Sequence, residues 1–409
     1  MLLVAAILTF GCQFAVTGFV ASAATSKLSA SDNHCDSRFI ASLESSDSKD
    51  FLQIRKLLRR RGGSPPPPPP PPLAVDAMSI GFAVVSVLMM AGLLACELGV
   101  LPPVSIASRH VWLIFPLSQA YLHMAAYGVG PLTGASPRMG AGGNSLFAIF
   151  SALVVQAACF ILTCKLGPRS NVVHVMYPPT AIYLLAWSYY LHTDMGSSPI
   201  VSCDVFGLEF HPLHMILWMC STSVQCILWK QIHHIQCVGG PFTPFHMPAG
   251  SMFLALIMLW LGLLGSLDFA ALRGDAPMSW TDPSWDLGLT IGLNAGSFAS
   301  FYALLTWSTA PIIDATEHYL KLYQQRAVAH AAHPTAATQA SLQNALMTRR
   351  QFMWARRYVW VTWHGFPLVW GLGAAGIVGS EMREYLWMAC DLAAKFLPVS
   401  MYISLLSVY

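Results

Sequence analysis

From residue 76 to its end the chain repeats one pattern, an apolar segment about 20 residues long followed by a polar break. Wound as a helix, such a segment crosses the roughly 30 Å hydrocarbon core of a bilayer. Nine of them fall near 76–101, 109–133, 144–166, 172–193, 211–232, 247–269, 287–313, 354–379 and 384–407. In hydrocarbon every backbone N–H and C=O has to find its partner inside the protein, so the expectation is an all-α membrane protein. Composition agrees: 55% of the 409 residues are hydrophobic and only 10% charged, too apolar for an ordinary soluble enzyme.

The net charge of +3 comes from basic residues scattered among short connections. No Lys/Arg face exists to neutralise a row of phosphates, which argues against nucleic acid as a partner. The ten cysteines form no CxxC pair. Cys96, Cys159, Cys220, Cys226 and Cys390 lie in apolar runs and read as small core residues, so no metal site is expected. Cys35 and Cys203, in polar segments, can pair only if both lie on an oxidising side of the membrane.

Residues 1–24 are apolar and end in Ala21, Ser22 and Ala23, the small-residue pattern of a signal peptide without its basic start. Residues 25–75 read as a disordered leader containing the cluster Arg55, Lys56, Arg59, Arg60 and Arg61 and eight prolines at 65–72. That cluster is a processing site, part of an organelle address or a solvated charge run.

The last seven segments behave as one bundle, 144–409, preceded by two additional transmembrane helices within 76–133. Alternate connections carry Lys165 and Arg169, then Lys230, then Lys321, Arg326, Arg349, Arg350, Arg356 and Arg357, which places them in the cytoplasm. The other connections are mostly acidic, with Asp194, Asp204, Glu209, Asp268, Asp275, Asp282, Asp286, Glu381 and Glu384. The bundle thus starts outside and ends in the cytoplasm, in a plasma or organelle membrane. The basic cluster at 55–61 runs against this orientation unless it is cleaved or far from the span.

The final segment holds Asp391 and Lys395. Ions inside a membrane are costly and mark sites, and a spacing of four puts both on one helix face. The pair alone is equally well a structural neutralisation. In the preceding segment Trp363, Phe366 and Trp370 share a face, and Pro367 removes a backbone donor and loosens the helix. An aromatic stripe by itself is usually core. Beside a buried lysine it offers flat apolar surfaces for a conjugated polyene, to which Trp218 and Trp307 could add.

Trp363, Phe366, Pro367 and Trp370, followed by Asp391 and Lys395, resemble the last two helices of the microbial (type 1) rhodopsins. Met215, Trp218, Ser221 and Thr222 resemble their third helix, and 144–193 their first two, so the resemblance spans about 265 residues. It implies a seven-helix bundle with all-trans retinal on Lys395 as a protonated Schiff base and Asp391 in the counterion complex. It further implies a pocket lined by Met215, Trp218, Thr222, Trp363, Phe366 and Trp370. The family commonly forms dimers or trimers, which carries over as an expectation of homo-oligomers.

Three positions depart from the family's proton pumps. Where those carry an Arg, an acidic acceptor and an acidic donor on the third helix, this chain has His214, Leu217 and Leu228. Leucine takes up no proton, so outward pumping of the usual kind is not expected, and chloride pumping is disfavoured as well. His214 is either a pH-sensitive partner of the site or a hydrogen-bonded core histidine. With Leu217 in the acceptor position, Asp391 is expected to be the sole close carboxylate, and Glu209 or Asp204 are the first candidates for any other anion.

A light sensor signalling to an unidentified partner needs none of the missing acids and is the preferred reading. A light-gated channel could use Gln156, His174, Ser221, Thr222, Ser223 and Gln225 as a hydrated path, although these serve equally as interhelical hydrogen bonds. An enzyme is disfavoured because fourteen residues follow Lys395, unless the chain is part of a longer light-regulated protein. A transporter or scaffold with a structural Asp391–Lys395 pair is the remaining alternative.

Overall fold

Two polar groups show how the first described helix joins the rest. Glu97 closes α1 (Ala77–Glu97), and one of its carboxylate oxygens accepts from the Gly250 amide at 2.9 Å, at the start of α5 (Ala249–Ser266). A negative charge at a helix N-terminus satisfies orphan donors and meets the positive end of the dipole. A Cβ on Gly250 would lie 2.6 Å from Glu97 and 2.7 Å from Trp307, so only glycine fits this approach.

The computed structural model describes residues 77–107, 113–133, 177–194, 205–238, 243–279 and 281–406. The chain divides into two units, Met1–Pro70 and Pro71–Tyr409, and all described residues belong to the second. The signal segment, the leader with its basic cluster, Cys35, Cys203, His174 and the span 144–166 with Gln156 lie outside them.

After α1 come β1 (Ser105–Ala107), α2 (Ile114–Thr133), α3 (Tyr177–Asp194), α4 (Pro212–Cys237) and β2 (Pro244–His246), then α5 and the single turn α6 (Phe269–Leu272). They are followed by α7 (Trp285–Ala332), α8 (Ala336–Trp363), α9 (Gly365–Ala374) and α10 (Ser380–Leu406). Described helices thus cover eight of the nine expected spans. Ser79–Glu97, Ala249–Ser266 and Trp285–Ala332 are long and apolar enough by themselves to cross a membrane. Others carry too much polarity to stand out, for a physical reason visible in their packing. In α4 the residues His214, Gln225 and Gln231 are buried, and in α10 Arg383, Glu384, Asp391 and Lys395 are buried. Their polar atoms face other helices.

Phe82 and Ser86 of α1 meet Tyr121 of α2, and Tyr189 and Tyr190 of α3 meet His214 of α4. Asn294 and Ser297 of α7 donate to the Gly265 and Met258 carbonyls of α5 at 2.8 and 2.7 Å. Tyr358 of α8 donates to the Ala393 carbonyl of α10 at 3.0 Å. The strands β1 and β2 pair antiparallel, Ile106 opposite Phe245, so the α1–α2 and α4–α5 connections share one end of the fold. The helices α1 and α2 pack on α4 and α5 at Phe82, Tyr121 and Leu122.

Two elements differ from the sequence expectation. The spans expected at 287–313 and 354–379 belong to longer helices, α7 running to Ala332 and α8 starting at Ala336. The 48 residues of α7 amount to about 72 Å, over twice the thickness of a hydrocarbon core. The polar, alanine-rich sequence there hid this continuation from a search for apolar spans. The two arms form an antiparallel hairpin joined by Tyr319 against Phe352 and by Arg326 donating to the Ser341 carbonyl at 2.7 Å. Thr335 and Thr338 close its tip with a reciprocal capping box. The last expected span before α10 is broken at His364, because Pro367 offers no amide to the Trp363 carbonyl one turn earlier. The His364 ring nitrogen Nδ1 instead meets the Trp360 carbonyl at 2.6 Å.

Candidate functional site

The helical spacing of α10 places Asp391 and Lys395 one turn apart, and the Lys395 Nζ donates to Asp391 Oδ1. Both are buried, at 0% and 4% exposure. A bare ion pair taken out of water is expensive, and it persists only where further hydrogen bonds satisfy the carboxylate. Here three side chains do so. Tyr190 of α3 donates its hydroxyl to Asp391 Oδ2 at 2.7 Å, and Trp218 of α4 donates Nε1–H to Oδ1 at 2.8 Å. His214 Nε2 lies 3.1 Å from Oδ2.

The other nitrogen of His214, Nδ1, lies 3.2 Å from Glu384 Oε2. The imidazole is buried, with Tyr189 stacked on it at 4.6 Å and Trp218 against it at 4.4 Å. It is therefore more than a core histidine with one neighbour: it bridges two carboxyl groups. The second close carboxyl is Glu384. Glu209, a first candidate from sequence, is exposed and meets Ser380 and Arg383 through its backbone, and Asp204 lies outside the described residues. The spacing signal was present, since Glu384 stands two turns before Asp391 on the same helix, but it read as part of an acidic connection.

Beyond Lys395 opens a cavity of about 110 Å³, partly open to the outside. One wall is Met215, Trp218, Ser221, Thr222 and Gln225 of α4. The facing wall is Trp363 of α8 with Phe366, Pro367 and Trp370 of α9, and Trp387, Ala394 and Lys395 of α10 close one side. Met258, Leu259 and Gly262 of α5 and Asn294, Ser297, Phe298 and Phe301 of α7 complete it. Ring contacts knit the walls: Trp218 lies 4.7 Å from Phe366 and 5.3 Å from Trp387, and Phe298 lies 5.2 Å from Trp370.

Of the residues singled out from sequence, Met215, Trp218, Thr222, Trp363, Phe366, Trp370 and Lys395 line this one space, and Asp391 is tied to Lys395 beside it. Trp307 does not join them. It is 49% exposed and sits against Gly250 at the start of α5, because its register on α7 turns it away from the cavity. Trp387 was missed although it precedes Asp391 by four and so shares its face. The α5 and α7 linings carry no sequence signal, since which face of an apolar helix looks inward depends on its partners.

No protein-family model and no curated protein matches the chain. Among solved structures it is similar to the transmembrane domain and linker region of a rhodopsin phosphodiesterase from Salpingoeca rosetta, at 14% identity, covering 72% of this chain and 93% of that one with a TM-score of 0.50. Another structure of that transmembrane domain gives 15% identity, coverage of 82% and 99%, and a TM-score of 0.43. A thermophilic rhodopsin from Rubrobacter xylanophilus gives 17% identity, coverage of 64% and 93%, and a TM-score of 0.42. At 14% identity the first likeness is one of fold. The described helices have the fold of a rhodopsin transmembrane domain, and the chain is an integral membrane protein.

Proposed function

We propose that this chain is a retinal-based membrane photoreceptor of the microbial rhodopsin type, acting as a light sensor and not as an enzyme. The observation that carries it is a buried lysine, held by a carboxylate, at the foot of a cavity walled by four tryptophans. The chemistry of the donors fits retinal: an amine for its aldehyde, an anion for the resulting cation and long apolar walls for its polyene. Bound there, retinal would supply absorption of visible light and a change of shape on isomerising.

The protein's own residues do the rest. Asp391, oriented by Tyr190 and Trp218, keeps positive charge on the Lys395 nitrogen inside a medium that otherwise rejects it. Trp218, Trp363, Phe366 and Trp370 exclude water and hold a flat ligand between rings. The break at His364 leaves α9 with freedom to shift against α8, whose far arm runs out to the hairpin tip. Given the basic connections at the hairpin end, that tip faces the cytoplasm, the N-terminal side of the bundle faces outward, and a signalling partner meets the hairpin.

A second reading, as the sensor module of a longer light-regulated enzyme, is favoured by the fold likeness to the membrane domain of a rhodopsin phosphodiesterase. It leaves the light-absorbing site unchanged. Incubating the purified protein with all-trans retinal tests the proposal. A new visible absorption band is expected, and a preparation that stays colourless refutes it.

A further inference from the structure

We propose that the outward face of α8 at the root of the hairpin, formed by Arg350, Trp354 and Arg357, binds the phosphate-bearing headgroup of an anionic phospholipid. The site uses no part of the retinal pocket and stands whether or not the chain absorbs light.

Between Glu317 and Glu381 the chain has no aspartate or glutamate, yet it carries Lys321, Arg326, Arg349, Arg350, Arg356 and Arg357. Arg350, Arg356 and Arg357 are exposed, and none of them forms an ion pair with a carboxylate among the described residues. Asp314, on the facing helix, lies instead near His233 and Cys237 of α4. The root of the hairpin is thus a cationic surface with no internal counterion.

Arg350, Trp354, Arg357 and Val361 follow one another at four, three and four residues, so they make a single stripe along α8. All four are exposed, Trp354 by 60% and Val361 by 73%. Side chains on a helix lean toward its N-terminus, and the Arg357 guanidinium does so here, 5.5 Å from the centre of the Trp354 ring. The stripe runs from two cations on either side of one indole to a bare aliphatic side chain a turn further on.

The depth of this stripe follows from α7. Between Leu287 and Ile313 that helix has no charged residue, and Asp314 is the first beyond it. Tyr319 of α7 packs on Phe352 of α8. In an antiparallel hairpin, five residues back along α7 and five onward along α8 reach the same level, which sets Arg357 beside Asp314. The hydrocarbon boundary therefore crosses α8 near Arg357, with Val361 about 6 Å inside it and Trp354 about 4.5 Å outside. Indole rings and lipid phosphates both occupy that polar layer, about 5–7 Å deep on each side of a bilayer. Arginine side chains extend into it from a helix, and the guanidinium fork matches phosphate oxygens two at a time. An acidic protein has the right charge too, but the stripe continues into hydrocarbon at Val361, where lipid already lies.

Native mass spectrometry of the retinal-free protein in detergent, titrated with phosphatidylglycerol or with phosphatidylcholine, tests the site. Each arginine that meets an anionic headgroup should contribute about fivefold in affinity, so the protein should retain phosphatidylglycerol about 25-fold more tightly. Arg350→Gln with Arg357→Gln, both at exposed positions, should abolish that preference. Trp354→Leu should weaken it by about two- to fivefold, the range of an exposed cation–π contact. Arg273→Gln, an exposed arginine before α7, should leave it unchanged. Equal retention of the two lipids, a preference that survives in the double variant, or an equal loss in Arg273→Gln overturns the site. Full competition by glycerol phosphate would assign the arginines to a free anion, and binding of a polyglutamate peptide in place of phosphatidylglycerol would assign them to an acidic protein; either result overturns the lipid. Retinal plays no part in these readings, so a failure of the photoreceptor reading leaves them intact.

Discussion

Asp391 has four partners drawn from three helices, and each answers a cost that an unsolvated carboxylate would otherwise bear. Removing one member of a buried ion pair leaves the other uncompensated, at about 3–5 kcal/mol. In the retinal-loaded protein, Asp391→Asn takes away the anion that faces the Lys395 nitrogen. The absorption band is expected to move from the visible to the near ultraviolet at neutral pH. Absorption spectroscopy checks this, and unchanged colour would show that His214 and Glu384 hold the charge by themselves. The buried pair, the aromatic face and the missing acids at Leu217 and Leu228 were all readable in the sequence, because each depends on spacing within one helix. The bridge from His214 to Glu384 joins residues 170 apart and was not.

At the level of elements, the sequence shows spans wherever a helix meets lipid on most of its surface. It shows α4 and α10 as well, although their polar atoms turn toward neighbouring helices, and it ends a span early where an apolar run gives way to a helical polar one, as in α7. The β1–β2 ribbon, three residues a side, has no periodicity to find. The contact that ties α1 to α5 is likewise invisible in sequence, since Glu97 and Gly250 look like an ordinary loop acid and an ordinary glycine. It has a measurable consequence. Glu97→Ala removes the carboxylate from the start of α5 and should lower stability by about 1 kcal/mol, within the range for lost helix caps. Denaturant unfolding in detergent should show the loss, and Glu97→Asp, one methylene shorter, should regain only part of it.

For the molecule as a whole, a rhodopsin-type membrane fold, α1 and α2 docked on α4 and α5, and a hairpin projecting from one end suit the proposed sensor, which would hand a change of shape to a partner. Voltage-clamped cells expressing the protein with retinal should then show no photocurrent at any potential, and their illumination should leave no lasting acidification of the medium. A steady current would favour the channel, with Ser221, Thr222 and Gln225 on the cavity wall as its first lining. All of these outcomes rest on one proposed covalent bond, from Lys395 to retinal. Reducing the retinal-loaded protein with borohydride and mapping its peptides by mass spectrometry tests that bond directly. The account predicts a retinyl adduct on Lys395 and none on Lys395→Ala; an adduct on another lysine, or none at all, would contradict it.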